Sequence, residues 1–114
     1  MNEILEVVES YNSYIKNVVS GSLKIAEQLR NNEVKEAIEQ IGYFSEGMSW
    51  LMDASGLLSQ LKVEVAFDVE KIVEFLEEIN NGLEIGDHVI VADIFEYEIA
   101  PFFDKLAQIN VVEQ

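Results

Sequence analysis

Apolar residues recur through the first thirty positions at intervals of three and four: Ile4, Val7/Val8, Tyr11, Ile15, Val18, Ser22, Ile25/Ala26 and Leu29. At about 100° per residue they gather on one side of a helix. Glu6, Glu9, Ser13, Lys24 and Glu27 fall largely opposite. The pattern predicts one long helix over 2–30. Gly21 is its weak point, about 1 kcal/mol less favourable than Ala in a helix interior, and a bend is expected there. Asn31-Asn32 breaks the period. Asn32 reads as the N-cap of a second helix, with Glu33 and Glu36 in a first turn where the helix dipole favours acid. So short a connection makes the first two helices an antiparallel hairpin. The second helix runs to about residue 60 through Val34, Ala37, Ile41, Phe44, Met48, Leu51/Met52, Ser55 and Leu58.

Residues 61–67, Leu-Lys-Val-Glu-Val-Ala-Phe, have no helical period and are partly β-branched, so they predict an extended connection. Asp68 is the next N-cap, with Phe67 and Ile72 at the positions of a hydrophobic staple. A third helix carries Val69, Ile72/Val73, Leu76, Ile79 and Leu83. Asn80-Asn81-Gly82 reads as its stop, with Gly82 in the left-handed cap position. Asp87 caps a fourth helix that presents Val91, Ile94/Phe95, Phe102, Leu106 and Ile109 on one face. His88–Ile94 has strand-like composition, yet the later period favours helix and no second strong strand exists to pair with it. Pro101 should kink or end this helix by removing a backbone donor. Four amphipathic stripes bury best against one another. The expected fold is therefore all-α: a single domain over 1–114, an antiparallel, up-and-down four-helix bundle.

Composition narrows the functional classes. The chain of 114 residues has 22 acidic residues against 7 basic ones and a net charge of −15. Phosphate backbones and anionic membranes are thus poor partners, and a basic protein partner is favoured electrostatically. Solubility alone is the simpler reading of the acidity. Cysteine is absent, which removes disulfide and thiolate chemistry and suits a reducing cytoplasm. No apolar run is long enough for a transmembrane helix, and the acidic start Met1-Asn2-Glu3-Ile4 is unlike a signal peptide. The expected location is cytoplasmic, with neither nucleic acid nor membrane as partner.

Residues 86–101 read Gly-Asp-His-Val-Ile-Val-Ala-Asp-Ile-Phe-Glu-Tyr-Glu-Ile-Ala-Pro. Gly86, Asp87, Asp93, Glu96, Tyr97, Glu98 and Pro101 resemble the C-terminal signature of a family of small uncharacterised Firmicutes proteins. Glu46-Gly47-Met48-Ser49-Trp50-Leu51 resembles that family's middle helix. The resemblance implies a helical fold and a bacterial cytoplasmic home, and it carries no activity to any residue.

Candidate chemistry is sparse. A carboxylate-bridged metal site in a bundle needs inward Glu residues and Glu-x-x-His pairs. His88 is the sole histidine, Ile85 stands three residues before it, and Glu84 falls in a loop. No hydrolytic relay has an evident base. Gly42, Gly47 and Gly56 lie within a helix, where close helix packing explains them better than a phosphate loop. No metal, cofactor or catalytic residue is expected. Glu98 falls on the wheel between Val91, Phe95, Phe102 and Leu106, inside the apolar stripe. There it must be paired, hydrogen-bonded or protonated, with Tyr11, Tyr14 or Tyr43 as donor, unless it reaches solvent past a kink at Pro101. Tyr43, Trp50 and Leu57 form a second apolar line on helix two, flanked by Glu36, Glu39, Glu46 and Asp53. Such a line is either buried within the chain or faces a partner. The leading reading is a small acidic non-enzymatic interaction module — an adaptor, chaperone or regulator — with Tyr43, Glu46, Trp50, Asp53 and Leu57 as its surface. The alternatives are a carboxylate-centred enzyme or metal-dependent sensor at Glu98, and a purely structural homodimer.

Overall fold

A computed structural model describes residues 2–106; Ile109, expected on the fourth helix, lies outside the described residues. Helix α1 spans Asn2–Arg30, α2 Val34–Gln60 and α3 Val69–Glu84. The last rod is continuous but composite: α4 over His88–Asp93, a π-helical turn over Ile94–Ile99, and α5 over Ala100–Lys105. Among the described residues there is no strand, and His88–Asp93 is helical. Gly21 does not interrupt α1.

The helices form an up-and-down bundle. One side of α1 packs on α2 and another on the C-terminal rod, while α3 touches α2 and the rod and lies diagonally across from α1. The residues of the four stripes meet in one core that includes Tyr11, Ile15, Phe44, Met48, Phe75, Val91, Phe95 and Phe103. Rings of Phe44 and Phe95 meet edge to face at 5.1 Å, and those of Phe75 and Phe102 at 5.4 Å. Of the connection expected to be extended over 61–67, residues 63–67 are, while Leu61 and Lys62 form the turn that ends α2. Val63, Val65 and Phe67 turn toward the core in strand-like alternation, and Phe67 meets the ring of Tyr11 edge-on at 6.2 Å rather than serving only as a staple.

All three connections leave their helix in the same way. Glu33 N–H bonds the Gln28 carbonyl, Val63 N–H that of Leu58, and Asp87 N–H that of Gly82, each five residues back. Asn32 (φ 65°), Lys62 (φ 64°) and Gly86 (φ 70°) hold the left-handed position that this closure requires. Two expectations are corrected here. Asn32 closes α1 instead of capping α2, whose N-cap position falls to Glu33 without a side-chain bond. Gly82 lies inside α3 and the left-handed residue is Gly86. Gly82 serves packing: a Cβ there would stand 2.6 Å from Val91 Cγ2. The caps Asp68 and Asp87 are as expected, accepting from Lys71 N–H and Ile90 N–H.

The π-helical turn corrects the placement of Glu98. Ala100 N–H reaches the Phe95 carbonyl, five residues back. One extra residue in a turn rotates everything beyond it by about 100°. Ile99 and Phe103 consequently take the inward positions that a straight α-helix gives to Glu98 and Phe102, and Glu98 is exposed. Pro101 follows at once and has no N–H to donate, so the ladder is already interrupted at this point. The widened turn also keeps an unpaired carboxylate out of the core, where it would be costly.

Candidate functional site

Helix α2 is apolar on two sides. Its core side is buried. The second line, Tyr43, Trp50 and Leu57, is exposed by 57%, 40% and 47% of the side chains' full area. Spaced seven residues apart, the three extend about 21 Å along the helix. Glu36, Glu39, Glu46 and Asp53 are all exposed on the same helix. The Trp50 ring is held edge-on by Tyr14 of α1 at 6.0 Å. Tyr14 in turn occupies the space where Gly47 would carry a Cβ, so Gly47 lets the two helices close at this point. Gly42 and Gly56 have no such role, since a Cβ on either would meet nothing within 4 Å.

Beside this line the α1/α2 groove opens into a notch of about 130 Å³, lined by Tyr14, Asn17, Gly21, Ser22, Gln40 and Tyr43 among others. Sequence reasoning missed the notch. Its only signals were a helix-interior glycine and a serine on the core stripe. Ser22 is 1% exposed, and its Oγ has no hydrogen-bond partner among the described residues.

The pairing expected of Glu98 with Tyr11 does not form. Tyr11 is fully buried, its hydroxyl has no partner among the described residues, and burial pushes its pKa up to about 12. Glu98 lies instead beside Glu78 of α3, at a groove of about 340 Å³ that Asn81, Ile85, Ile90 and Asp93 also line. Partial burial, followed by the Glu98 charge, raises the Glu78 carboxyl above its ordinary value. Among the described residues no group of three or more His, Asp or Glu side chains is placed to hold a metal ion.

Next to this groove, Arg30 of α1 forks onto two acids of the rod. Its Nη2 donates to Asp93 Oδ1 at 2.9 Å and its Nε to Glu96 Oε1 at 3.2 Å. This fork fixes the end of α1 against the π-helical turn. The signature residues Asp93, Glu96 and Pro101 thus gather around a structural feature, while Asp87 caps α4 and Gly86 closes α3. The Schellman turn beside them leaves Ile85, Val89 and Ile90 exposed at the bundle end, near His88 and an open depression of about 830 Å³.

A family model described as a domain of unknown function, DUF8042, matches residues 6–109. The chain belongs to the DUF8042 family. Neither curated proteins nor solved structures give a match. The DUF8042 match spans all four helices, so the π-helical turn, the Arg30 fork and the exposed line on α2 all lie inside the family's domain. No helix among the described residues is long and apolar enough to cross a membrane.

Proposed function

We propose that this chain is a non-enzymatic protein-interaction module that docks a partner on the outer line of α2. One observation carries the reading. Three large apolar side chains at heptad spacing stay exposed on a helix whose other face is fully committed to the core. Exposed aromatics in a row are the side chains that anchor interfaces, and an acidic rim steers an approaching partner. Trp50 is the centre of the line and is held in a fixed orientation by Tyr14, which lowers the entropy lost on binding. The lack of cysteine suits a cytoplasmic setting.

The test uses Trp50→Ala and Leu57→Ala as baits beside the wild type in affinity capture from the native cell. Both side chains are only about half exposed, so each variant is first checked by circular dichroism and melting, and capture is compared well below the lower melting temperature. Proteins retained by wild type and lost by both variants are the expected result. A Trp50→Ala protein that captures the same proteins as wild type would move the functional surface elsewhere, the exposed Ile85–Val89–Ile90 end being the next place to look.

A further inference from the structure

The notch beside the aromatic line has features that folding alone leaves unexplained. Gly21 sits in the interior of α1, where glycine weakens a helix. It has no left-handed backbone to accommodate, and a Cβ added there would meet nothing within 4 Å. The next residue, Ser22, places a hydroxyl on the core side without a partner among the described residues, which costs stability. Both residues line the same groove of about 130 Å³ as Asn17, Gln40 and Tyr43. That volume is about that of four water molecules in the liquid, room for one mid-sized side chain. Tyr43 belongs both to the notch and to the exposed line on α2, so the notch opens onto the docking face.

Charge decides what could lie there. From Glu36 onward α2 carries Glu36, Glu39, Glu46 and Asp53 and no basic residue. Lys24, one turn beyond Gly21 on α1, is exposed and supplies a positive edge at that end. A second copy of a chain with net charge −15 would bring the same acidic face to this one. A cationic amphipathic helix answers both the apolar line and its rim.

We infer that the α1/α2 groove receives a basic amphipathic helix, with one uncharged, polar-tipped side chain of that helix seated in the notch beside Asn17 and Gln40. This rests on the docking reading above and adds the partner's chemistry and a specific seat. The aromatic line supplies the apolar contact, the acids steer and orient, and Gly21 keeps the seat open.

The probe is a synthetic 18-residue helix of Lys and Leu, without Trp, carrying one Gln at the centre of its apolar face and a fluorescent label for anisotropy. Its controls are a scrambled peptide of the same composition and a version with Leu in place of Gln. The wild-type protein should bind the amphipathic peptide at least tenfold more tightly than the scrambled one, with a blue shift of Trp50 emission. Gly21→Leu should melt at or above the wild-type temperature yet bind at least tenfold more weakly, because it fills the seat. The version with Leu in place of Gln should bind several-fold more weakly than the Gln peptide, since Asn17 and Gln40 line the notch. If Trp50→Ala loses binding while Gly21→Leu keeps it, the seat is wrong and the docking face survives. If neither variant affects binding, the docking reading itself falls. Equal binding of the scrambled peptide overturns the amphipathic occupant, and so does sedimentation of the wild-type protein alone as a dimer that Trp50→Ala dissociates.

Discussion

Replacing Tyr11 by Phe removes a single oxygen from the middle of the bundle and leaves the ring that meets Phe67. The hydroxyl is fully buried and has no partner among the described residues. A stranded buried polar group costs about 1–3 kcal/mol, and deleting it recovers that penalty. Against this stands the loss of the oxygen's packing contacts, about 0.5 kcal/mol. Tyr11→Phe should therefore stabilise the chain by about 1 kcal/mol near neutral pH, raising the melting temperature by about 4–8 °C. The effect should grow in alkali. Burial pushes the Tyr11 pKa from 10.0 to about 12, so above pH 10 the unfolded chain releases a proton that the folded chain keeps. Stability then falls as pH rises from 10 toward 12, by about 1.4 kcal/mol at pH 11 for this one group. The Phe variant escapes that loss. Urea titrations at pH 7.5 and pH 11, followed by Trp50 fluorescence and far-UV circular dichroism, measure both quantities. A Phe variant less stable than wild type by 1 kcal/mol or more would refute the reasoning, since the hydroxyl must then hold a bond inside the core.

Three further outcomes follow from the backbone and the acids. Glu98→Gln should raise stability at pH 7 by about half a kcal/mol or less. It relieves the charge beside Glu78, whose pKa is raised, so the gain should be absent below pH 4.5, where Glu78 is protonated in both states; an equal gain at pH 4 would point to another cause. Lys62→Gly should stabilise by about 0.5–1 kcal/mol in urea melts, because a left-handed L-residue costs about 1–2 kcal/mol and glycine gives back about half through unfolded-state entropy. A loss of stability there would mean that the Lys62 side chain has a role the turn does not explain. Gly82→Ala should destabilise by up to about 2 kcal/mol in the same melts, overpacking against Val91 outweighing the gain in helix propensity; a stabilised variant would show that α3 and α4 can part without cost.

Much of the fold was legible because a helix period is a local property. The apolar stripes of α1 and α2 follow their buried faces closely, with Ile4, Val7, Val34 and Met52 half-buried and Ala54 an addition, and the extended stretch 63–67 and the Asp68 and Asp87 caps are dictated by residues within a few positions. The misplacements have one origin: local signals there are degenerate. Asn32 and Gly82 each suit a cap or a turn, and their roles depend on which five-residue closure the chain adopts and on how near the next helix stands. Gly82 is a packing residue only because Val91 approaches it. Glu98 shows the same limit more sharply. A straight wheel puts it in the core, and no local rule selects the extra residue that rotates it out. The turn is flanked by Pro101 and bonded by Arg30 from a helix more than sixty residues away, and it spares the core a carboxylate without a partner.

For the candidate surface the division is similar. Sequence alone determined that α2 carries two apolar faces and that the second is flanked by acids. It could not decide whether the second face is covered, because that depends on where the other three helices sit. Tertiary structure settled it. α1 and α3 take the space on the core side of α2, the Tyr14 ring over Gly47 orients Trp50 without covering it, and the Tyr43–Trp50–Leu57 line is left to solvent. The notch at Gly21 and Ser22 likewise exists only between two packed helices, since a glycine and a serine make a cavity only when a facing helix closes its walls.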